Sequence, residues 1–173
     1  MQMPVYAHQR GVSLIEILVA LVVLSLGAIG VAGVQLSTIK FNQVSQQRSN
    51  AVQLAYGLTD RMRANMPGAA AGNYVFNFPY ANIPGNIPVA PNCGAPCTPQ
   101  QLADLHLNQW LNELAAALPQ GRGTVTQVAA TVGAPYRVAI MWEEKDLTGF
   151  GRDARCPADA PAEAQCLLVE FQP

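Results

Sequence analysis

Charge is the scarcest commodity in this chain. Of 173 residues, 12% are charged, with 10 Lys and Arg against 11 Asp and Glu, for a formal net charge of -1. That is about half the ~25% usual for globular domains. With a pI near 6.1, the chain also lacks the basic face or stripe of a nucleic-acid binder. Histidine is nearly absent, at two residues, His8 and His106. A catalytic constellation is therefore hard to assemble: His106 sits on a leucine-rich helix, where a partly buried structural role is expected. Asp104 is too close along the same helix to make a dyad with it. No phosphate-cradling glycine loop occurs, and Gly121-x-Gly123 reads as a turn. No internal repeat is present, and no helix breaker stronger than glycine stands between Val12 and Met66. A surface so poor in charge suits one that spends its life against other protein.

What is abundant is apolar residue, 50% of the chain, and its excess lies near the N-terminus. Ile17 to Val34 is a run of eighteen residues interrupted only by Ser25 and small residues. At ~1.5 Å per residue it approaches the ~30 Å of a bilayer core. It exceeds the ~7–15 residues of a secretory h-region. A signal peptide cut near Gly30-Val31-Ala32 is the competing reading, and Glu16 opposes it, being an acid where such a sequence wants a base. An acid at the mouth of a membrane helix is costly and reads as functional by default. If the chain is cut after Gly11, Val12 gains an α-amino group with a reference pKa of ~7.7–8.0, mostly protonated at neutral pH. Val12 and Glu16 then stand one helical turn apart. The amine of one molecule can equally neutralise the carboxylate of a neighbour. Gly27, Gly30 and Gly33, with Ala28 and Ala32, offer a close-packing seam; the glycines also make this the weakest stretch of the helix.

The domain plan follows in order. Residues 1–11 form a leader; 12–34 the membrane and assembly half of a long helix; 35–66 its amphipathic half, ended by Pro67-Gly68. Val44, Ala51, Ala55, Leu58 and Met62 share one face of that second half. Such a helix would run roughly 80 Å. Residues 67–173 form an α+β domain. Tyr74 to Phe78 is an extended piece. Thr98-Pro99-Gln100-Gln101 has the pattern of a capping box with Pro at the first helical position. Leu107, Trp110, Leu111, Leu114 and Leu118 give that helix its apolar stripe, and Pro119-Gln120-Gly121 stops it. Strands are expected over Thr124–Val132, Tyr136–Trp142 and Cys166–Phe171, with Tyr136, Val138, Ile140 and Trp142 on one face. The amphipathic half of the long helix is the obvious cover for that face.

Four cysteines, Cys93, Cys97, Cys156 and Cys166, all follow the apolar run. Their spacings do not match the C-x2-C pairs of ribbon-type zinc sites, so disulfides are expected and no metal. Of the three possible pairings, two local ones, Cys93–Cys97 and Cys156–Cys166, close short Pro- or Gly-containing loops. Lysine and arginine do not decide orientation, because Arg10 precedes the run while Lys40 and Arg48 follow it. The cysteines favour an oxidising compartment for the C-terminal side.

Gly11-Val12-Ser13-Leu14-Ile15-Glu16 resembles the cleavage and N-methylation motif of type IV prepilins, with Val12 where Phe is usual. Within that superfamily, Asp104-Leu105, Trp110 and Leu118-Pro119-x-Gly121-x-Gly123 resemble the middle segment of the PilV family of minor pilins. Tyr136-Arg137-Val138 leading to Trp142 resembles its strand, and Cys156 and Cys166 its C-terminal pair. The resemblance implies a lollipop fold, a long N-terminal helix packed on a small antiparallel sheet, and a structural protein with no cofactor and no catalysis. A prepilin peptidase would cut between Gly11 and Val12 and methylate the Val12 amine, and Glu16 would serve assembly. Partners would be other minor pilins, the major pilin, the inner-membrane assembly platform and a tip adhesin, in adhesion and twitching motility. The domain would be periplasmic before assembly and on the cell surface in the pilus afterwards. A minor pseudopilin of a type II secretion system shares the N-terminal motif and is the nearest alternative. A membrane-anchored periplasmic binding or enzyme domain is the third.

Overall fold

A computed structural model describes residues 11–77, 87, 89–93, 96–129, 131–144, 156–158, 160 and 164–173. The leader up to Arg10 and the expected strand residue Phe78 lie outside them. The fold is α+β: a 51-residue helix, α1 (Leu14–Ala64), a short α2 (Met66–Ala70), α3 (Pro99–Ala117), and strands β1 (Arg122–Gln127), β2 (Tyr136–Glu143) and β3 (Ala164–Phe171). The chain divides into two units, one up to Asn42 and one over Gln43–Pro173.

In the first unit, α1 exposes every side chain from its start to Asn42. Its most apolar 18 residues have a mean hydropathy of 2.7, long and apolar enough by length and composition to cross a membrane. The few hydroxyls there are satisfied within the helix: Ser25 Oγ donates to the Val22 carbonyl at 2.8 Å and Thr38 Oγ1 to Val34 at 2.9 Å. Such local bonds let a polar residue sit in an apolar helix without a stranded donor.

In the second unit the face of α1 carrying Ala51, Ala55, Leu58 and Met62 is fully buried. Each large aliphatic side chain so buried contributes roughly 1.5–3 kcal/mol. Val44, expected on the same face, is only half-buried. The helix ends at Ala64, three residues before the expected stop at Pro67-Gly68. Pro67 has no N–H for the carbonyl four residues back, and its ring crowds that carbonyl. The chain therefore leaves the helix at Asn65 (φ −126°, ψ 56°), and Pro67 falls in the first turn of α2, where proline is tolerated. Asn65 Oδ1 accepts from the Gly68 N–H at 3.3 Å. Gly68 is thus no stop signal. A Cβ there would run into the Asn65 side chain and come within 2.9 Å of the Pro99 carbonyl.

The capping box of α3 forms as the sequence predicts. Thr98 Oγ1 accepts from Gln101 N at 3.2 Å, and Gln101 Oε1 accepts from Thr98 N at 2.9 Å. The three strands pair antiparallel in the order β1-β2-β3, with Val125 opposite Val138 and Val138 opposite Val169. Tyr136, Val138, Ile140 and Trp142 share the buried face with Phe171. Cover comes from α1, as expected, and also from α3, whose Trp110, Leu111 and Leu114 join the same core. Phe76 extends the sheet by a bridge to Val125. Strand β1 begins two residues earlier than expected and ends at Gln127 rather than Val132. The β-branched residues beyond it are taken by the hairpin turn, where Ala134 N donates to the Thr131 carbonyl at 3.0 Å and Gly133 adopts φ 76°. On the opposite sheet face, Met141, Cys156, Ala160, Ala164 and Cys166 form a second, smaller core.

Candidate processing and assembly site

The sequence motif lies at the start of α1. Gly11, Val12 and Ser13 precede the helix and are exposed. The Ser13 carbonyl accepts from Glu16 N at 3.0 Å and from Ile17 N at 3.3 Å, so Ser13 is the residue from which the helix starts. Ser13-Leu14-Ile15-Glu16 also has capping-box spacing, a local signal that the reading of Glu16 as a membrane acid passed over. Glu16 falls in the first turn, where the helix dipole favours negative charge. It thus occupies the one end of an apolar helix where a carboxylate is least costly. Gly11 has open space around its Cα, with nothing within 4 Å of a built Cβ. Val12, Leu14, Ile15 and Ile17 are 52–74% exposed. Gly11, Val12 and Ser13 therefore stand exposed, ahead of a ready-made helix.

The cysteines come together in two local pairs. Cys93 and Cys97 are at disulfide distance with Cα atoms 5.1 Å apart, and Cys156 and Cys166 with Cα atoms 5.3 Å apart. The second pair ties the segment around Cys156 to β3. Among the described residues no group of three His, Cys, Asp or Glu side chains is placed to hold a metal ion.

His106 does not join Asp104. Its Nδ1 meets the Tyr74 hydroxyl at 2.7 Å, whereas Asp104 accepts from Gln100 Nε2 at 3.0 Å. Around that bond lies a polar knot that sequence reasoning missed. Asn65 Nδ2 donates to the Pro99 carbonyl at 2.8 Å and to Tyr74 Oη at 3.2 Å. Arg61 makes a forked contact with Glu113, at 2.6 and 2.9 Å. The knot joins the end of α1, the chain at Tyr74 and both ends of the contact with α3. Burial, then the Arg61 charge, holds the His106 imidazolium pKa below its usual 6.5. Burial pushes the Tyr74 phenol above its usual 10.0, against the Asn65 hydrogen bond. A neutral imidazole hydrogen-bonded to a tyrosine that also lies 3.4 Å from the Arg61 carbonyl is a structural joint. No signal in the sequence connects residues 65, 74 and 106, because each lies on a different element.

The Leu118-to-Gly123 segment opens with a turn over Pro119 and Gln120 and is fixed further by packing. Gly121 N donates to the Leu118 carbonyl at 2.9 Å, and a Cβ at Gly121 would strike the Leu114 carbonyl. Gly123 is not in a turn at all: it stands inside β1, with its missing side chain replaced by the Trp110 ring. Trp110 is fully buried, and its Nε1 donates to the Leu54 carbonyl of α1 at 3.1 Å.

Compared with known families, residues 6–32 match the model of the prokaryotic N-terminal methylation motif. The match covers Gly11, Val12, Glu16 and most of the apolar run. It supports a type IV pilin-type protein. No curated protein and no solved structure matches the chain. For a pilin-type chain, the motif implies processing by a prepilin peptidase and assembly with other pilins in general. The apolar, uncovered N-terminal part of α1 fits membrane anchoring followed by assembly.

Proposed function

We propose that the chain is a minor pilin of a type IV pilus. A prepilin peptidase cuts it between Gly11 and Val12 and methylates the new amine, and it then joins other minor pilins to start or modify pilus assembly. The observation that carries this reading is the methylation-motif match over residues 6–32, on a helix whose first half buries nothing within its own chain. Support for the minor-pilin assignment comes from the Trp110-to-Gly123 segment, whose glycine-tryptophan packing gives its spacing a physical reason.

Chemically, cleavage creates a cation where the precursor has a neutral peptide bond. Glu16, in the first turn of α1, is the carboxylate to receive it, either from its own Val12 or from the Val12 of a neighbouring subunit. Removing one partner of such a pair in lipid strands the other charge, so the pair acts as a registration device for stacked helices.

The test is twofold. Mass analysis of the mature N-terminal peptide is expected to find methylated Val12; a chain beginning near Gly33, or still at Met1, would replace the pilin reading by a cleaved signal peptide or a plain anchor. Glu16→Ala is expected to be cut normally yet be absent from sheared pili; its normal incorporation would remove Glu16 from assembly. Recovery of the wild type with secretion-system parts instead of pili would make it a pseudopilin.

A further inference from the structure

Between α1 and the end of α3 lies an open groove of about 540 Å³ whose lining has no charged side chain. One wall is a stripe of carboxamides, Gln43, Gln46, Gln47 and Asn50. They are spaced three, four and seven residues from the first, so they share one helical face. This is the face that becomes apolar one turn later at Ala51 and Ala55. The other wall is the last turn of α3, residues 115–117, and the turn that follows it.

Three observations mark the groove as more than a gap. First, the last turn of α3, residues 115–117, is exposed and, among the described residues, receives no backbone N–H from beyond the helix. Pro119 has no N–H for the carbonyl of residue 115, and the N–H groups of Leu118 and Gly121 go to Leu114 and Leu118. No basic residue stands in that last turn. Second, Gln47 Oε1 is buried and has no hydrogen-bond partner among the described residues. Third, Gln120 is the only described non-glycine residue with positive φ, at 51°. Helix ends commonly place glycine in that conformation, and a strained side chain kept at a groove points to a use for it.

From this chemistry we propose that the groove binds a neutral saccharide, a ligand of vicinal hydroxyls. The negative end of a helix dipole disfavours an anion, and a wall without carboxylates gives a cation no counter-ion. Each carboxamide presents a donor and an acceptor side by side, matching adjacent hydroxyls that both give and take hydrogen bonds. The carbonyls of the exposed last turn of α3 can accept from hydroxyls. The methyl groups of residues 115–117 give the C–H face of a sugar ring a small apolar floor. A peptide is less suited, because peptide recognition draws its energy from apolar anchors in pockets, and this groove has none. Its volume lies within the ~300–1,000 Å³ of small-molecule sites. The proposal does not depend on the pilin reading.

The test uses the full chain in lipid nanodiscs, free of glycoside detergent, and saturation-transfer NMR. The probes are maltose, cellobiose, lactose and N,N′-diacetylchitobiose, with a Gly-Ser peptide alongside. Transfer to at least one disaccharide is expected. Gln46→Ala and Asn50→Ala should each weaken it about three- to tenfold, with Gln53→Ala, on an exposed part of α1, unchanged. Gln120→Gly is expected to raise the thermal midpoint while lowering binding, which separates a ligand role from a folding role. Transfer to no disaccharide, transfer to the peptide alone, or binding indifferent to these carboxamides would overturn the proposal.

Discussion

Adding a single methyl group at Gly123 tests the packing on which the second unit is built. The backbone there is that of an ordinary strand, so Ala meets no conformational barrier, and by propensity alone the change would gain ~0.5–1 kcal/mol. The space decides otherwise. A Cβ on Gly123 would overlap the Trp110 ring, with Leu114 Cδ1 only 2.8 Å away. Trp110 is fully buried and its Nε1 is held by the Leu54 carbonyl, so the ring has no direction in which to retreat. Overpacking of this kind costs about 1–3 kcal/mol. Gly123→Ala is therefore expected to destabilise by a net ~1–2 kcal/mol. For a domain of this size that is a fall of roughly 3–10 °C in the thermal midpoint, read by circular dichroism on the full chain in micelles. Gly57→Ala is the matched control. Nothing lies within 4 Å of its Cβ and it is inside α1, so the midpoint should rise, as helix propensity alone gives up to ~1 kcal/mol. Combining Gly123→Ala with Trp110→Phe should cost less than the two singles summed, because the smaller ring vacates the space the methyl needs. An unchanged or raised midpoint for Gly123→Ala, or an additive cycle, would refute the reasoning.

The polar knot predicts a pH dependence of definite sign. Because the folded state holds the His106 pKa below 6.5, the unfolded chain takes up the proton first. The stability from neutral His106 is complete above pH 6.5 and is lost as the pH falls below it, until the folded-state value is reached. Thermal midpoints followed from pH 7.5 down to about 5, above the carboxylate range, should fall for the wild type and flatten in His106→Gln; equal slopes would discard the assignment. For the cysteines, non-reducing peptide mapping is expected to recover Cys93 linked to Cys97 and Cys156 to Cys166, and any cross-linked pair would contradict the two local loops.

Much of the architecture was legible in local pattern. Helix periodicity named Ala51, Ala55, Leu58 and Met62, and the Thr98 capping box and alternation through Tyr136 to Trp142 needed only neighbours along the chain. The N-terminal motif is of the same kind: a glycine, an acid five residues on and most of an apolar run fall within residues 6–32. Local pattern misleads where a residue's meaning lies across space. Pro67 does end α1, as expected, but the break falls at Asn65, so Pro67 lies in the first turn of the next helix and Gly68, rather than stopping a helix, makes room for Asn65 and Pro99. Gly123 read as a turn because glycine usually marks one, whereas Trp110, thirteen positions earlier and on another element, explains it. β-branched residues favour a strand up to Val132, but β1 stops at Gln127 and the hairpin uses the last of them for its turn.

Sequence alone thus determined the elements that owe their form to local chemistry: the apolar helix, its acidic first turn, the cap of α3 and the two-residue alternation of β2. Only the tertiary structure decided which residues meet. It joined His106 to Tyr74 and not to Asp104, set Trp110 against Gly123, and laid the Gln43-to-Asn50 stripe opposite the exposed end of α3. The physical reason is range. Hydrogen-bond periodicity and capping act within a few residues, while burial acts between elements whose approach no single stretch of sequence encodes.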